Sequence, residues 1–109
     1  MRKIYHLVSK QVWEQLGAGP YQADSLIAEG FIHCSYEEQV ARSANRFYAD
    51  HGELLVLTID PALLTSPLRH EAATNGEVFP HIYGPIDRAA IVDVQALRRD
   101  ANGRWAFQS

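Results

Sequence analysis

Ten residues, 29–38, constrain this fold more than any other segment, because they predict a short strand that leads directly into a helix. Gly30 gives the backbone freedom for a turn, and residues 31–34 form an apolar segment too short for a helix. Ser35, followed three residues later by Glu38, fits the capping box that begins a helix. Free backbone N–H groups at such a junction favour an anionic or hydroxyl-rich ligand, although a histidine there can equally be structural.

Length and composition are typical of a soluble single domain. A chain of 109 residues can bury a core without disulfides or structural metals. Its formal net charge of −3 gives no reason to expect a nucleic-acid partner. The single cysteine indicates a reducing compartment. We find neither a secretory signal nor the ~20 apolar residues of a membrane span. We therefore expect a cytoplasmic protein that does not contact membranes.

The hydrophobic pattern predicts an α+β fold with about six short strands and with helices mainly in the N-terminal half. The strand candidates are residues 3–8, 31–34, 54–59, 68–72, 78–83, 89–94 and 104–107. The helix candidates are residues 10–16 after an N-cap at Ser9, a brief turn from Asp24 or Ser25, residues 35–49, and a single turn that starts at Asp60-Pro61. The unbroken apolar segment 54–59 is typical of a strand covered on both faces. Residues 89–94 are also predicted to form a central strand.

His6, His33 and His81 each fall inside a predicted strand. A half-buried histidine needs a hydrogen-bond partner, so each of the three can be structural. They can also belong to one site, because three separate strands could converge on a single cleft. Together with Cys34 they include zinc-ligand types, but no pair has the spacing of a strong zinc motif. The apolar neighbours of Cys34 indicate a buried, inert thiol.

Two neighbouring strand candidates carry a further set of chemically active side chains. Phe79, His81 and Tyr83 alternate along one face, which places two aromatic rings beside an imidazole. Such a face can stack a flat ring and bond its polar edge, although it can equally be a core face. Arg69 and Glu71 share a face of the preceding strand. They are either an exposed ion pair or the rim of the same cleft.

Several motifs, taken together, resemble those of one known family. They are Ile4-Tyr5-His6-Leu7, Trp13, Gly19-x-Tyr-x-x-x-Ser-Leu26, Glu29-Gly-Phe-Ile-His-Cys-Ser35, Gln39, Ala44-Asn45-x-Phe-Tyr48 and Phe79-Pro-His-Ile-Tyr-Gly-Pro85. The family is the bacterial domain-of-unknown-function family 952 (DUF952). The resemblance extends over nearly the whole chain, residues 1–109, as a single domain.

The resemblance implies a compact relative of the ADP-ribosyltransferase fold, in which a split, bent and mostly antiparallel sheet clamps NAD in a cleft. In that group a histidine on the first strand, matched here by His6, bonds the adenosine-side ribose. His33 could match a second histidine found in tRNA 2′-phosphotransferases, and Glu71 is the nearest candidate for the catalytic glutamate. Leu7 and Val8 replace the usual glycine and threonine. This departure favours an alternative, a binding module without catalysis.

The leading hypothesis is a small cytoplasmic protein that binds NAD or a related nucleotide, with activity as a transferase of the ADP-ribosyl or phospho-ribosyl type left open. Loss of nicotinamide from NAD leaves an oxocarbenium-like ribose, so a site needs groups that fix the riboses, an aromatic platform and nearby negative charge. No metal or cofactor is assigned, apart from NAD as a possible substrate. The alternatives are a non-catalytic small-molecule-binding or interaction module and a metal-dependent enzyme that uses the strand histidines. The catalytic candidates are His6, His33 and Glu71, and the ligand-binding candidates are Ser35, Phe79, His81, Tyr83 and Arg69.

Overall fold

The chain folds into the α+β structure that the hydrophobic pattern predicts, described here for residues 2–108 by a computed structural model. The strands are β1 (Ile4–Ser9), β2 (Ile32–His33), β3 (Leu54–Ile59), β4 (Leu68–Ala72), β5 (Val78–Ile82), β6 (Ile91–Ala96), β7 (Arg98–Arg99) and β8 (Trp105–Ala106). The helices are α1 (Lys10–Gln15), α2 (Asp24–Glu29) and α3 (Val40–Phe47), and 3₁₀ turns cover Glu37–Gln39, Pro61–Leu63 and Arg88–Ala90. None of the helices within residues 2–108 has the length and apolar character needed to cross a bilayer.

Two three-stranded antiparallel sheets form the body of the fold. The central sheet has the strand order β1-β3-β6, and the outer sheet has the order β2-β5-β4. The two are joined where Tyr5 and Ser35 exchange both backbone hydrogen bonds, with N···O distances of 2.8 and 2.7 Å. Strands β7 and β8 form a separate two-stranded hairpin. The predicted class, α+β with mostly antiparallel strands, is therefore confirmed.

Strand β3 is covered on both faces, as its unbroken apolar sequence predicts. Successive side chains point to opposite faces of the sheet. Leu57 therefore lies in a core shared with Ile82 of the outer sheet, while Val56 lies in a second core with Val40 of α3 and Trp105 of β8. The layers run from the outer sheet through the first core to the central sheet, and then through the second core to α3 and β8.

Local signals at element ends agree with the structure at several points. Ser9 Oγ accepts a hydrogen bond from a backbone N–H of α1 at 3.2 Å, and Asp60 caps the turn that follows β3 at 3.0 Å. Gly30 ends α2 in the left-handed region, at φ 89°, where a residue with a Cβ would be strained. The turn that leads Glu29 into β2 therefore depends on this glycine.

The capping box predicted for Ser35 and Glu38 is wrong. Ser35 is occupied by its backbone bonds to Tyr5, so the helical conformation begins later. The side chain of Gln39 accepts a hydrogen bond from the Tyr36 backbone N–H at 2.9 Å. A 3₁₀ turn then leads into α3, which spans Val40–Phe47 rather than residues 35–49.

Strand β6 lies at the edge of the central sheet, which corrects the prediction that residues 89–94 form a central strand. The first residues of that segment form a 3₁₀ turn, and the strand begins at Ile91. Val92 and Val94 are 47% and 39% exposed. These valines are in the strand because β-branched residues favour strands, and not because their side chains are buried. The apolar pattern alone does not distinguish a strand preference from burial.

Candidate functional site

The outward face of the outer sheet gathers side chains from three neighbouring strands. His33 on β2 lies opposite His81 on β5, and His81 lies opposite Arg69 on β4, so the three form a row across the sheet. Glu71 and Tyr83 are each two residues from a member of this row and share its face. We define the outer-sheet cluster as Phe31, His33, Arg69, Glu71, His81 and Tyr83.

Phe31 makes three ring contacts within the outer-sheet cluster. Its ring stacks on the imidazole of His81, with centroids 4.3 Å apart and an interplanar angle of 27°. It also contacts His33 and Tyr83, at centroid distances of 4.8 and 5.3 Å. His33 and His81 meet edge to face at 5.3 Å. Because all four rings are partly exposed, they form a surface platform rather than part of the core.

Glu71 holds two members of the cluster through a single carboxylate oxygen. Oε1 accepts a hydrogen bond from the Tyr83 hydroxyl at 2.5 Å and lies 2.8 Å from Nδ1 of His81. The bonds from Tyr83 and then His81 lower the pKa of the Glu71 carboxyl, because they stabilise its charged form. The bond to Glu71 also raises the pKa of Tyr83. A carboxylate at Nδ1 keeps the proton on that nitrogen, so Nε2 of His81 is the nitrogen left for a ligand.

His33 and Arg69 lie on either side of His81. Nε2 of His33 lies 2.9 Å from Oε2 of Glu29 at the end of α2. The guanidinium of Arg69 lies over the Tyr83 ring, 4.8 Å from its centroid, in a cation–π contact. Within residues 2–108 the Arg69 side chain makes no ion pair or hydrogen bond. Its donors are therefore available to an anion.

His6 lies in the interior, which corrects the expectation that three strand histidines face one cleft. Its Nδ1 donates to the backbone carbonyl of His33 at 2.6 Å, and its Nε2 accepts from the Tyr21 hydroxyl at 2.8 Å. This tautomer follows because a carbonyl can only accept. Burial lowers the pKa of His6 to about 4, so the ring is neutral near pH 7. His6 thus reaches the outer-sheet cluster only through the backbone of His33.

Two further predicted ligand-binding residues, Ser35 and Phe79, lie outside the row of imidazoles. Ser35 is buried, and its hydroxyl donates to Ser43 of α3 at 3.4 Å, so it points away from the cluster. Phe79 lies opposite Glu71 across β4 and β5, which places it at one end of the cluster's face. Cys34 is buried, and burial raises the pKa of its thiol, which keeps it in the unreactive protonated form.

Glu29 and Phe31 contact the site although neither is among the predicted site residues, and both lie in the family motif at residues 29–35. The alternation of a strand places Phe31 on the same face as His33, so parity alone could have indicated it. Glu29 reaches His33 across the turn at Gly30, and this contact depends on the left-handed conformation of the glycine. Sequence spacing does not predict such a contact.

The candidate site is an open face rather than a deep pocket. Two shallow grooves, of about 340 and 540 Å³, lie elsewhere on the molecule, and both include Lys10, His51 and Glu53 in their linings. In the part of the chain that the structure describes, no three His, Cys, Asp or Glu side chains are placed to hold a metal ion. A metal site that included His6 would require this residue to give up both of its buried hydrogen bonds.

The fold is similar to that of solved structures of one bacterial protein. The crystal structure of protein CC0527 from Caulobacter crescentus matches with a TM-score of 0.84 and 29% sequence identity, and the match covers 95% of this chain and 93% of that one. The solution NMR structure of CC0527 matches with a TM-score of 0.80 and 30% identity, over 95% of this chain and 91% of that one. The descriptions of these structures name no activity, so the finer resemblance to ADP-ribosyltransferases stays a prediction.

A comparison with curated proteins gives no match. A family model described as "Protein of unknown function (DUF952)" matches residues 7–94. This range includes every member of the outer-sheet cluster, together with the buried Tyr21 and Cys34. The match extends over most of the chain and agrees with the motifs that point to the same family. The chain therefore belongs to the DUF952 family.

Proposed function

We propose that the outer-sheet cluster binds a small ligand that combines a flat ring with an anionic group, as NAD and related nucleotides do. The observation that carries this proposal is the row of His33, His81 and Arg69 beside exposed aromatic rings. Arg69 has free donors for a phosphate, and the rings of Phe31 and Tyr83 offer apolar surface for a base. The free imidazole nitrogens can bond ribose hydroxyls. A ligand that lacked the flat ring would leave the aromatic side chains without a contact, and one that lacked the anionic group would leave Arg69 without a contact.

The finer form of the proposal is an ADP-ribosyltransferase-like site that cleaves NAD. The motif resemblance is the ground for it, and Glu71 supplies a carboxylate with a lowered pKa near the imidazoles. A carboxylate is the group that stabilises the cationic ribose left when nicotinamide departs. In this proposal His6 acts by fixing the backbone of His33, because both of its ring nitrogens are already engaged.

The second candidate is a binding module that has no catalytic activity. One oxygen of Glu71 already accepts from Tyr83 and holds His81, so much of its charge is used within the protein. The residues that follow His6, Leu7 and Val8, also differ from the glycine and threonine usual in the ADP-ribosyltransferase group. Both observations favour ligand binding without turnover.

Thermal unfolding of the full chain with NAD, ADP-ribose and AMP tests the binding proposal. A ligand that binds only the folded state stabilises it by about 2.7 kcal/mol at one hundred times its dissociation constant. We expect Arg69→Gln to abolish most of this stabilisation, because it removes the free guanidinium. Arg98→Gln is the matched control, since Arg98 is exposed on β7, outside the outer-sheet cluster.

Absence of stabilisation by every nucleotide, or equal loss in the two arginine variants, would contradict the proposal. Release of nicotinamide from NAD then separates the two candidates. Turnover that Glu71→Gln abolishes supports the transferase, and binding without turnover supports the module.

A further inference from the structure

We infer that His33 and His81 act as a general acid–base pair on a phosphate ester, with Arg69 binding the phosphate. This inference rests on the proposed ligand site and names a different chemistry for it. Each imidazole of the cluster is engaged by a carboxylate, His81 by Glu71 within the cluster and His33 by Glu29 at the end of α2. The groups offered to a ligand are therefore two imidazoles and a guanidinium. These groups suit transfer of a phosphoryl group better than glycosidic cleavage, which needs free carboxylates.

Both imidazoles are held by a carboxylate through one nitrogen and keep the other nitrogen free. Nδ1 of His81 lies 2.8 Å from Glu71, and Nε2 of His33 lies 2.9 Å from Glu29. The opposite nitrogens, Nε2 of His81 and Nδ1 of His33, make no hydrogen bond within residues 2–108. A carboxylate in this position fixes the tautomer and the ring orientation of a catalytic histidine.

The spacing and the charge of the cluster fit a single phosphate group. The two imidazole centroids are 5.3 Å apart, so both rings can reach oxygens attached to the same phosphorus atom. Arg69 lies opposite His81 in the strand register and has unengaged donors, which can neutralise the charge of the phosphate. Tyr83 lies beneath this guanidinium and restricts its position.

A reaction that uses all three groups is hydrolysis of a phosphodiester, taken here as a cyclic one whose departing oxygen stays on the product. The neutral imidazole of His81 takes a proton from water while the water oxygen bonds to phosphorus. The P–O bond to one ester oxygen breaks, and protonated His33 gives its proton to that departing oxygen. The product is a phosphate monoester with a free hydroxyl. One proton passes from His81 to solvent and one from solvent to His33, which restores the starting state without any oxidant or metal.

Hydrolysis of adenosine 2′,3′-cyclic phosphate by the full chain, followed by ³¹P NMR, tests the inference. We expect a bell-shaped dependence of kcat/KM on pH, because one imidazole must be neutral and the other protonated. His33→Gln and His81→Gln should each lower kcat by about 10²–10⁴-fold and remove one limb of the bell. Arg69→Gln should mainly raise KM. His51→Gln is the control, since His51 is exposed and lies outside the cluster.

Two outcomes would overturn the inference. One is a wild type that binds nucleotides in the thermal assay but leaves the cyclic ester intact, which rejects this chemistry while the binding proposal stands. The other is turnover that neither histidine variant reduces. Circular dichroism and thermal unfolding of the variants show whether they are folded, and Arg69→Gln supplies a variant that leaves both histidines in place. Failure of every nucleotide to bind would instead reject the proposed function itself.

Discussion

The central and outer sheets of this protein each have three antiparallel strands, but their histidines lie in opposite environments. His6 in the central sheet is buried, neutral and bonded through both ring nitrogens. His33 and His81 in the outer sheet are exposed or partly exposed, and each keeps one nitrogen free. Residue type therefore does not distinguish a structural histidine from a candidate functional one. The distinction depends on whether the face that carries it is covered by a second layer.

Covering a sheet on both faces requires that every polar group inside be satisfied. In residues 2–108 no buried side-chain nitrogen or oxygen lacks a hydrogen-bond partner. The outer sheet buries one face, which carries Ile32 and Ile82. Its other face is exposed, so the polar side chains there can form hydrogen bonds with water. Stability is thus expected to depend mainly on the central sheet, and ligand binding on the outer one. The following predictions test this division.

The largest effect is expected from truncation in the covered strand. Leu57→Ala should lower the free energy of unfolding by about 2–5 kcal/mol, because Leu57 is fully buried and its removal leaves a cavity. Val94 lies opposite Leu57 on β6 and is 39% exposed, so Val94→Ala should cost about 1 kcal/mol or less. Urea unfolding measures both variants. Similar losses in the two would show that β3 is not covered in the way described.

The next effect concerns the pH dependence that His6 gives to stability. Its pKa is about 4 in the folded protein and about 6.5 in an unfolded chain, because burial disfavours the charged ring. Between these values the unfolded state binds more protons, so the free energy of unfolding falls as the pH falls from about 6.5 to about 4. The loss should reach about 3 kcal/mol.

The variant His6→Gln isolates this contribution. Glutamine can donate to the His33 carbonyl and accept from the Tyr21 hydroxyl, but it does not titrate. The difference in unfolding free energy between wild type and variant should therefore change across this pH range, although carboxylates titrate in both proteins. A constant difference from pH 7 to pH 4 would show that His6 is solvated rather than buried.

Much of the fold, and part of the site, follows from local sequence patterns. The two-residue alternation of strands predicts the extents of β3 and β4 and the shared outward face of His81 and Tyr83. Helix-capping preferences predict the cap at Ser9. The position of His6 is not predicted in this way, because an alternating strand pattern places a side chain on a face without showing what covers that face. Helix α3 starts late for a similar reason, since a long-range backbone pairing competes with a local cap.

A smaller effect is expected where the second core is closed. Asn45 on α3 accepts from the backbone N–H of Trp105 at 2.7 Å and donates to its carbonyl at 2.9 Å, which fastens β8 to the helix. Asn45→Ala should cost about 1–3 kcal/mol, because both backbone groups lose their partner. Asn102 lies in an exposed turn, so Asn102→Ala should change stability by about 0.5 kcal/mol or less. Urea unfolding of both variants checks the contrast, and equal losses would remove any special role for Asn45.

The smallest effect is expected on the open face, from the pair of Glu29 and His33. Both side chains are about half exposed, and exposed ion pairs contribute little to stability. His33→Gln and Glu29→Gln should each change the unfolding free energy by about 0.5 kcal/mol or less, and a double-mutant cycle should give a coupling of similar size. A coupling well above 1 kcal/mol would mean that the pair holds the fold together. The carboxylate would then be present for stability, and the contrast between a covered sheet that stabilises and an open sheet that binds would no longer hold.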